Sequence, residues 1–361
     1  MFSQQNCVEC TLLFYIFYMS HFWDTLPKGF IGLAPMDGVT DAIYRYIVAQ
    51  QSKPDLIITE FTNVEGLSKN AVTLLKQFEY HEIERPIVAQ VYGLDPEAFY
   101  ISAIIVAEMG FDGMDINMGC PAKKVSHRGA GAGLILNPTL AKEIIEASKA
   151  GLKDYYEGKI SVKDLKLKNK MKEAIYSYCK GHEQKERRLL PLSIKTRIGY
   201  DTEVVEKWIS HLLSCKPVAI SIHGRTLKQM YSGNADWEAI GRAVELAKGT
   251  GIKIIGNGDI ESKKDAKEKI EKYGVDGVLI GRATFGNPWV FEGKQVNFQQ
   301  KIDLAIKHCE LFEKKVGINY FFVMRKYLGW YIKNHPHAKE MRIQLMRSNS
   351  TDEVRKILTN Y

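Results

Sequence analysis

The sequence predicts an α/β fold, a closed (β/α)8 barrel followed by a smaller C-terminal all-helical domain, on three observations. Eight short runs rich in β-branched and other apolar residues recur along the chain. Each is followed by a turn and then a stretch with helical spacing of apolar residues. After Phe291 the alternation stops and the pattern is helical only. Near-continuous apolar strands separated by helices read as parallel strands buried on both faces. Eight such units in one run favour a closed TIM barrel over an open doubly wound sheet.

Residues 1–28 read as an N-terminal extension, with Met19 as the start of the working protein. The apolar window Thr11–Met19 is about half the roughly 20 residues that a membrane-spanning helix requires, so no membrane span is expected. Residues 1–10 contain neither Lys nor Arg, and no small-residue cleavage site follows, which argues against a signal peptide. Cys7 and Cys10 form one CxxC without a second pair at zinc spacing and read as incidental thiols; no metal is expected.

The barrel is placed at 29–293. Its strands are expected at FIGLAP (30–35), DLIITE (55–60), PIVAQVYG (86–93), FDGMDIN (111–117), LSIKTRIG (192–199), VAISIHG (218–224), IKIIGNG (252–258) and DGVLIGR (276–282). Pro96–Met109, Glu203–Ser214 and Ser262–Tyr273 carry helical spacing. Far more chain separates the fourth and fifth strands than any other neighbours. The surplus is a Lys-rich insertion at about 151–190, expected to form a helical hairpin on the barrel's outside. In the last part, 294–361, Ile302, Ala305, Ile306, Cys309 and Phe312 share one helical face with lysines opposite. Tyr320, Phe321, Tyr327, Trp330 and Tyr331 are expected to supply its core.

With 45% hydrophobic and 25% charged residues, the chain is neither disordered, collagen-like nor a disulfide scaffold. Its six cysteines show no paired framework, which suits a reducing compartment and a cytoplasmic protein. The net charge of +8 is unevenly placed. Residues 151–190 hold 11 Lys/Arg against 6 Asp/Glu, and residues 294–361 hold 13 against 6. Two basic segments on a mildly acidic body point to an anionic partner, nucleic acid being the obvious candidate. The plainer alternative is a pair of solvated Lys-rich helical faces.

In a (β/α)8 barrel the chemistry is built where strands end. Those positions hold Pro35, Met36 and Asp37; Glu60; Gln90; Asn117 and Cys120; Lys195 and Arg197; His223 and Arg225; Asn257 and Asp259; Gly281 and Arg282. One strand-end Asn or Asp often only ties a loop, but polar residues at nearly every strand end form a ring. GNGD (256–259) and GR (281–282) end the last two strands, where this fold commonly holds a phosphate. Arg282 is then a charged clamp. GAGAG (129–133) and GNGDIE (256–261) both miss the G-x-G-x-x-G pattern, which argues against a dinucleotide in a Rossmann unit; with no Cys/His set at metal spacing either, a phosphate-bearing redox cofactor such as FMN fits better than a metal. Cys120 lies between Gly119 and Pro121 and is expected to be accessible rather than buried. With a reference pKa of about 8.5, its thiol can donate a proton near neutral pH.

Together, APMDGVTD (34–41), TEF (59–61), VAQVYG (88–93), DINMGCPAKKV (115–125), GAGAGL (129–134), IKTRIG (194–199), IHGRT (222–226), QMYSGNADW (229–237), GNGDI (256–260), GRATFGNPW (281–289) and MRKYLGWY (324–331) resemble the bacterial type of the tRNA-dihydrouridine synthase family. The resemblance runs from Phe30 to the C-terminus, excluding the insertion. It implies an FMN-dependent barrel that reduces the C5=C6 bond of particular uridines in tRNA, with NADPH as reductant and the helical domain binding tRNA. It places Pro35, Met36 and Asp37 against the flavin and Gln90 and Lys195 on its ring. His223, Asn257, Gly258, Asp259, Gly281 and Arg282 complete the FMN site. Asn117 and Arg197 face the uracil, with Arg225 also on the substrate side, and Cys120 is the proton donor. Gly133 stands where many members carry Ala, and Tyr327 where His is common. A monomer without a stable protein partner is expected. The competing readings are an FMN barrel that reduces a free pyrimidine or enone, and a non-catalytic tRNA-binding protein on a decayed barrel.

Overall fold

The computed structural model describes residues 21–180, 182 and 186–361. Among the described residues nine strands form: β1 (Phe30–Leu33), β2 (Ile57–Ile58), β3 (Thr62–Asn63), β4 (Ile87–Tyr92), β5 (Gly113–Met118), β6 (Leu192–Gly199), β7 (Ala219–Thr226), β8 (Lys253–Asn257) and β9 (Gly277–Ile280). All their pairings are parallel, β2 joins β1 to β4, and β9 returns to β1, so eight strands close a barrel. Each of the eight expected runs coincides with one of these strands, β5 and β7 continuing one and two residues past the expected ends.

The ninth, β3, is a short spur pairing with the end of β4 through Thr62↔Val91 and Asn63↔Tyr92. It is the second run resuming after a break at Thr59. There the Thr59 hydroxyl takes the place of a backbone acceptor, receiving the Gln90 N–H at 3.0 Å. A side chain that bonds the backbone offers the ladder an alternative, and a run of apolar residues does not reveal that break.

Residues 21–28, expected to belong to an extension, are part of the barrel. The short helix Phe22–Thr25 buries Trp23, which packs inside with Phe30, Leu56, Ile58, Val88, Ala219, Ile255 and Leu279. Removing that much apolar aromatic area from water is strongly favourable. Cys7, Cys10, the Thr11–Met19 window and Met19 itself lie outside the described residues.

The insertion forms its hairpin outside the barrel. After the helix Pro138–Tyr156 come a turn at Val162–Asp164 and the helix Asn169–Cys179. Val162, Leu165, Leu167, Met171 and Ile175 are buried, leaving lysines outward. Its return is tied down where β4 and β5 begin: His182 stacks on Tyr80 at 3.8 Å, and Arg188 joins Arg85 on Asp112. These ties lie at the opposite end of the barrel from the strand C-termini.

The C-terminal part contains the helices Phe298–Val316, Arg325–Tyr331, Ala338–Leu345 and Thr351–Leu358. Ile302, Ala305, Cys309 and Phe312 are buried as the periodicity requires, with Ile306 half-buried. Phe321, Tyr327 and Tyr331 are core, whereas Tyr320 is 56% exposed, a correction to its expected place. The bundle docks on the loops after β1 and β9. The Tyr327 hydroxyl reaches Val39 O at 2.9 Å and Asp41 Oδ2 at 3.1 Å, Tyr44 donates to Thr284, and Phe285 stacks on Trp330 at 3.9 Å. Gly286 adopts φ +66°, and a Cβ there would lie 2.2 Å from Trp330 O. Only glycine lets the two backbones pass.

Candidate active site

All the strand-end residues singled out above lie at the C-terminal rim of the barrel, but they fall into distinct groups. The first is built around Cys120. Asn117, at the end of β5, accepts the N–H of Gly119 at 3.0 Å and of Cys120 at 2.8 Å on its Oδ1. Ala132 N donates back to Cys120 O, and Gly131, at φ +58°, packs so closely that an added Cβ would lie 3.1 Å from Cys120 Cβ. The GAGAG loop thus lies against the cysteine. Cys120 is consequently 7% exposed, packed with Val125 and Ala130 and flanked by Phe61, Tyr92 and Leu94. The expectation of an accessible thiol is corrected: its Gly-Pro surroundings make a turn, but the turn is covered. Burial raises the thiol pKa, and Asp37 adds to the rise against opposing pulls from Arg197 and Lys195.

A cationic group faces this turn. Lys195 donates to Asn257 Oδ1 at 3.1 Å, and Asn257 Nδ2 donates to Leu279 O. Burial, helped by neighbouring Arg197, pulls the Lys195 pKa down to about 8. Arg197 is buried, donating from Nε to Gly119 O at 2.6 Å and from Nη1 to Thr226 O. Desolvation brings its pKa down to about 10. His223 is held well below its ordinary pKa by burial and by Arg197, Lys195, Arg225 and Arg282, so it is neutral at pH 7. Arg282, 50% exposed at the side chain, bonds Asp259 at 2.7 Å and lies over the Tyr231 ring.

Asp259 and Arg225 have other employment than expected. Asp259, at φ +50°, takes both Arg225 nitrogens, Arg282 and the Ala235 N–H on its carboxylate. Burial pushes its pKa up, but these donors outweigh it and the net shift is downward. Arg225, read as a substrate residue, is 2% exposed and also donates to Ser232 O and Gly233 O. It braces the loop that carries Tyr231. Gln90, expected on the flavin ring, is fully buried with its ends on Asn117 and Asp115. A strand-end position told which way these side chains pointed, but not which neighbours would occupy them.

On the β1 side, Pro35 and Met36 are half-buried and Asp37 is exposed at the rim. Thr40 holds the Met36 N–H, and the Met36 sulfur lies 3.3 Å from the position a Cβ on Gly281 would take. This contact joins the loops after β1 and β9. Gly258, at φ +126°, leaves no space for a side chain between Ala235 and His223. Glu60 is buried, its pKa pushed up to about 7 by desolvation and by Asp41. Phe61 and Tyr92, which cover Cys120, were not singled out. Tyr92 was legible, since it lies two residues beyond Gln90 on the same face of β4.

This donor set has the chemistry to hold a phosphate-bearing anion. Lys195, Arg197 and Arg282 supply positive charge, neutral His223 sits among them, and the loops after β8 and β9 bring backbone to the rim. The fold and rim define a (β/α)8 barrel with a cationic mouth beside a buried thiol whose pKa is raised. The chain belongs to the dihydrouridine synthase family: that family's model matches residues 32–184 and 170–360, the two stretches overlapping inside the Lys-rich insertion. It is therefore an oxidoreductase. Similar curated proteins include a probable tRNA-dihydrouridine synthase of Staphylococcus aureus, 36% identical, the alignment covering 94% of this chain and 95% of that one. The probable tRNA-dihydrouridine synthase 2 of Bacillus subtilis is 35% identical over 94% of this chain and 96% of its own. Among solved structures, ligand-free DHODH from Eimeria tenella aligns with 80% of this chain and 85% of its own at 11% identity and a TM-score of 0.48, too loose a likeness to bear on function.

Proposed function

We propose that this chain reduces the C5=C6 bond of particular uridines in tRNA, with FMN bound at the rim, NADPH as reductant and Cys120 as the proton donor. The observation that carries the reading is the cationic group of Lys195, Arg197 and Arg282 beside a buried thiol at one barrel mouth. Family membership and the printed names of the relatives support the substrate.

Lys195, His223, Asn257, Gly258, Gly281 and Arg282 would hold the FMN, with Pro35, Met36 and Asp37 along one side. Bound there, FMN would supply the hydride that enters at uracil C6. C6 is conjugated to the C4 carbonyl, so negative charge builds toward O4 and C5 must be protonated. Cys120 is suited to that task because its surroundings keep the proton on sulfur. Arg197, with Nη2 outside its bonds to Gly119 and Thr226, is the donor placed to stabilise the developing charge. Asn117 holds the turn through its carbonyl while its amide nitrogen bonds Gln90. The target base must leave its stack to reach this depth. The basic segment 294–361, docked on the rim loops, is the proposed tRNA-binding part.

The test is Cys120→Ala. Turnover of tRNA is expected to fall about 10² to 10⁴-fold, the usual contribution of a general acid, while flavin content and tRNA affinity remain. Turnover near that of the unaltered protein would remove Cys120 from the role.

A further inference from the structure

We propose that Asp115 is a positioning residue that fixes, through Gln90 and Asn117, the turn on which Cys120 is carried; the inference rests on the reading of Cys120 as the proton donor. Asp115 lies in β5, in register with Gln90 on β4 and Ser193 on β6. It is fully buried. Interior positions of such barrels are ordinarily filled by branched apolar side chains, and burying a carboxyl group is costly unless its hydrogen bonds are made.

The bonds it makes run in one direction. Ser193 Oγ donates to Asp115 Oδ1 at 2.7 Å, and Gln90 Nε2 donates to Asp115 Oδ2 at 2.8 Å. An ionised carboxylate only accepts, so it decides which end of the Gln90 amide faces it. Gln90 Oε1 is thereby turned to Asn117 Nδ2 at 2.9 Å. That leaves Asn117 Oδ1 to accept from Gly119 and Cys120. Each amide alone could turn over; with an acceptor at the root, both have one sense. Burial pushes the Asp115 pKa up to about 6 against Ser193, Gln90 and Lys195, which leaves it a carboxylate at neutral pH. The turn that presents the thiol is thus anchored two side chains deep in the barrel, on a carboxylate closed to solvent.

The experiment is iodoacetamide alkylation of the purified protein, read site by site by peptide mass spectrometry. Cys215, buried at the end of the helix Val205–Ser214, serves as the internal reference. Asp115→Leu removes the acceptor while keeping an approximate shape. It is expected to raise the rate at Cys120 relative to Cys215 about tenfold, the scale of one or two lost hydrogen bonds. Turnover at saturating tRNA should fall with KM for tRNA unchanged. If the leucine variant does not fold, Asp115→Asn, whose amide can donate as well as accept, is expected to move the ratio in the same direction by a smaller factor. A ratio unchanged in the folded variant, with both rates constant or rising in step, overturns the proposal. Retained turnover in Cys120→Ala would remove the proton-donor reading alone, since the alkylation ratio measures the anchoring of the turn whatever the thiol does.

Discussion

A thiol that serves as an acid must keep its proton until it is needed, and the surroundings of Cys120 act in that sense. Burial raises its pKa, and Asp37 adds a like-charge penalty on the thiolate. With the pKa above its ordinary value of about 8.5, the active, protonated form persists to higher pH than for a free cysteine. Cys120 itself is therefore expected to cause no loss of turnover at saturating tRNA below about pH 8.5, so an alkaline limb nearer pH 8 belongs to Lys195, whose pKa is about 8. A pH profile of kcat checks this. An alkaline limb near pH 7 would mean that the thiolate is not disfavoured. Residue identities at the rim were legible because strand ends alternate in facing with a period of two. Side-chain partners were not, and Arg225 shows why: its charge suggested a substrate anion, but Asp259 comes from a loop 34 residues on and meets it only in the closed barrel.

Among the elements, the helix Ala42–Gln51 is held to the start of the β4 unit by one buried ion pair. Arg45 Nε meets Glu84 Oε2 at 2.8 Å with both side chains fully buried, and Arg45 also donates to the carbonyls of Thr40 and Glu79. Breaking such a pair by removing one partner leaves an uncompensated buried charge. Glu84→Ala is therefore expected to destabilise the fold by about 3 to 5 kcal/mol, read as a lower urea midpoint. A change under about 1 kcal/mol would show that the carbonyls alone satisfy Arg45. All eight barrel strands were readable from apolar runs because each is buried on both faces. The spur β3 and the Phe22–Thr25 plug were not readable, because one depends on a single Thr59 hydroxyl and the other on Trp23 finding the barrel's open end. Gly133 finds its reason here too, since a Cβ would lie 2.8 Å from Ser126 O.

At the scale of the whole molecule, the basic C-terminal segment and the chemistry meet at one end of the barrel, while the Lys-rich insertion is tied down at the other end. Uneven charge was visible in the sequence, but which basic segment lies beside the mouth was not. Tyr327, Trp330 and Tyr44 settle that, by fastening the bundle to the loops after β1 and β9. The same loops carry Met36 and Arg282, so the proposed tRNA-binding part rests directly on the proposed flavin site. The most direct test of the account is to incubate unmodified tRNA with the purified, FMN-replete protein and NADPH, and to measure dihydrouridine by mass spectrometry of nuclease fragments. A gain of two hydrogens at particular uridines is expected, abolished or greatly slowed in Cys120→Ala. NADPH oxidation without any gain in the tRNA, or equal turnover of free uridine, would contradict it.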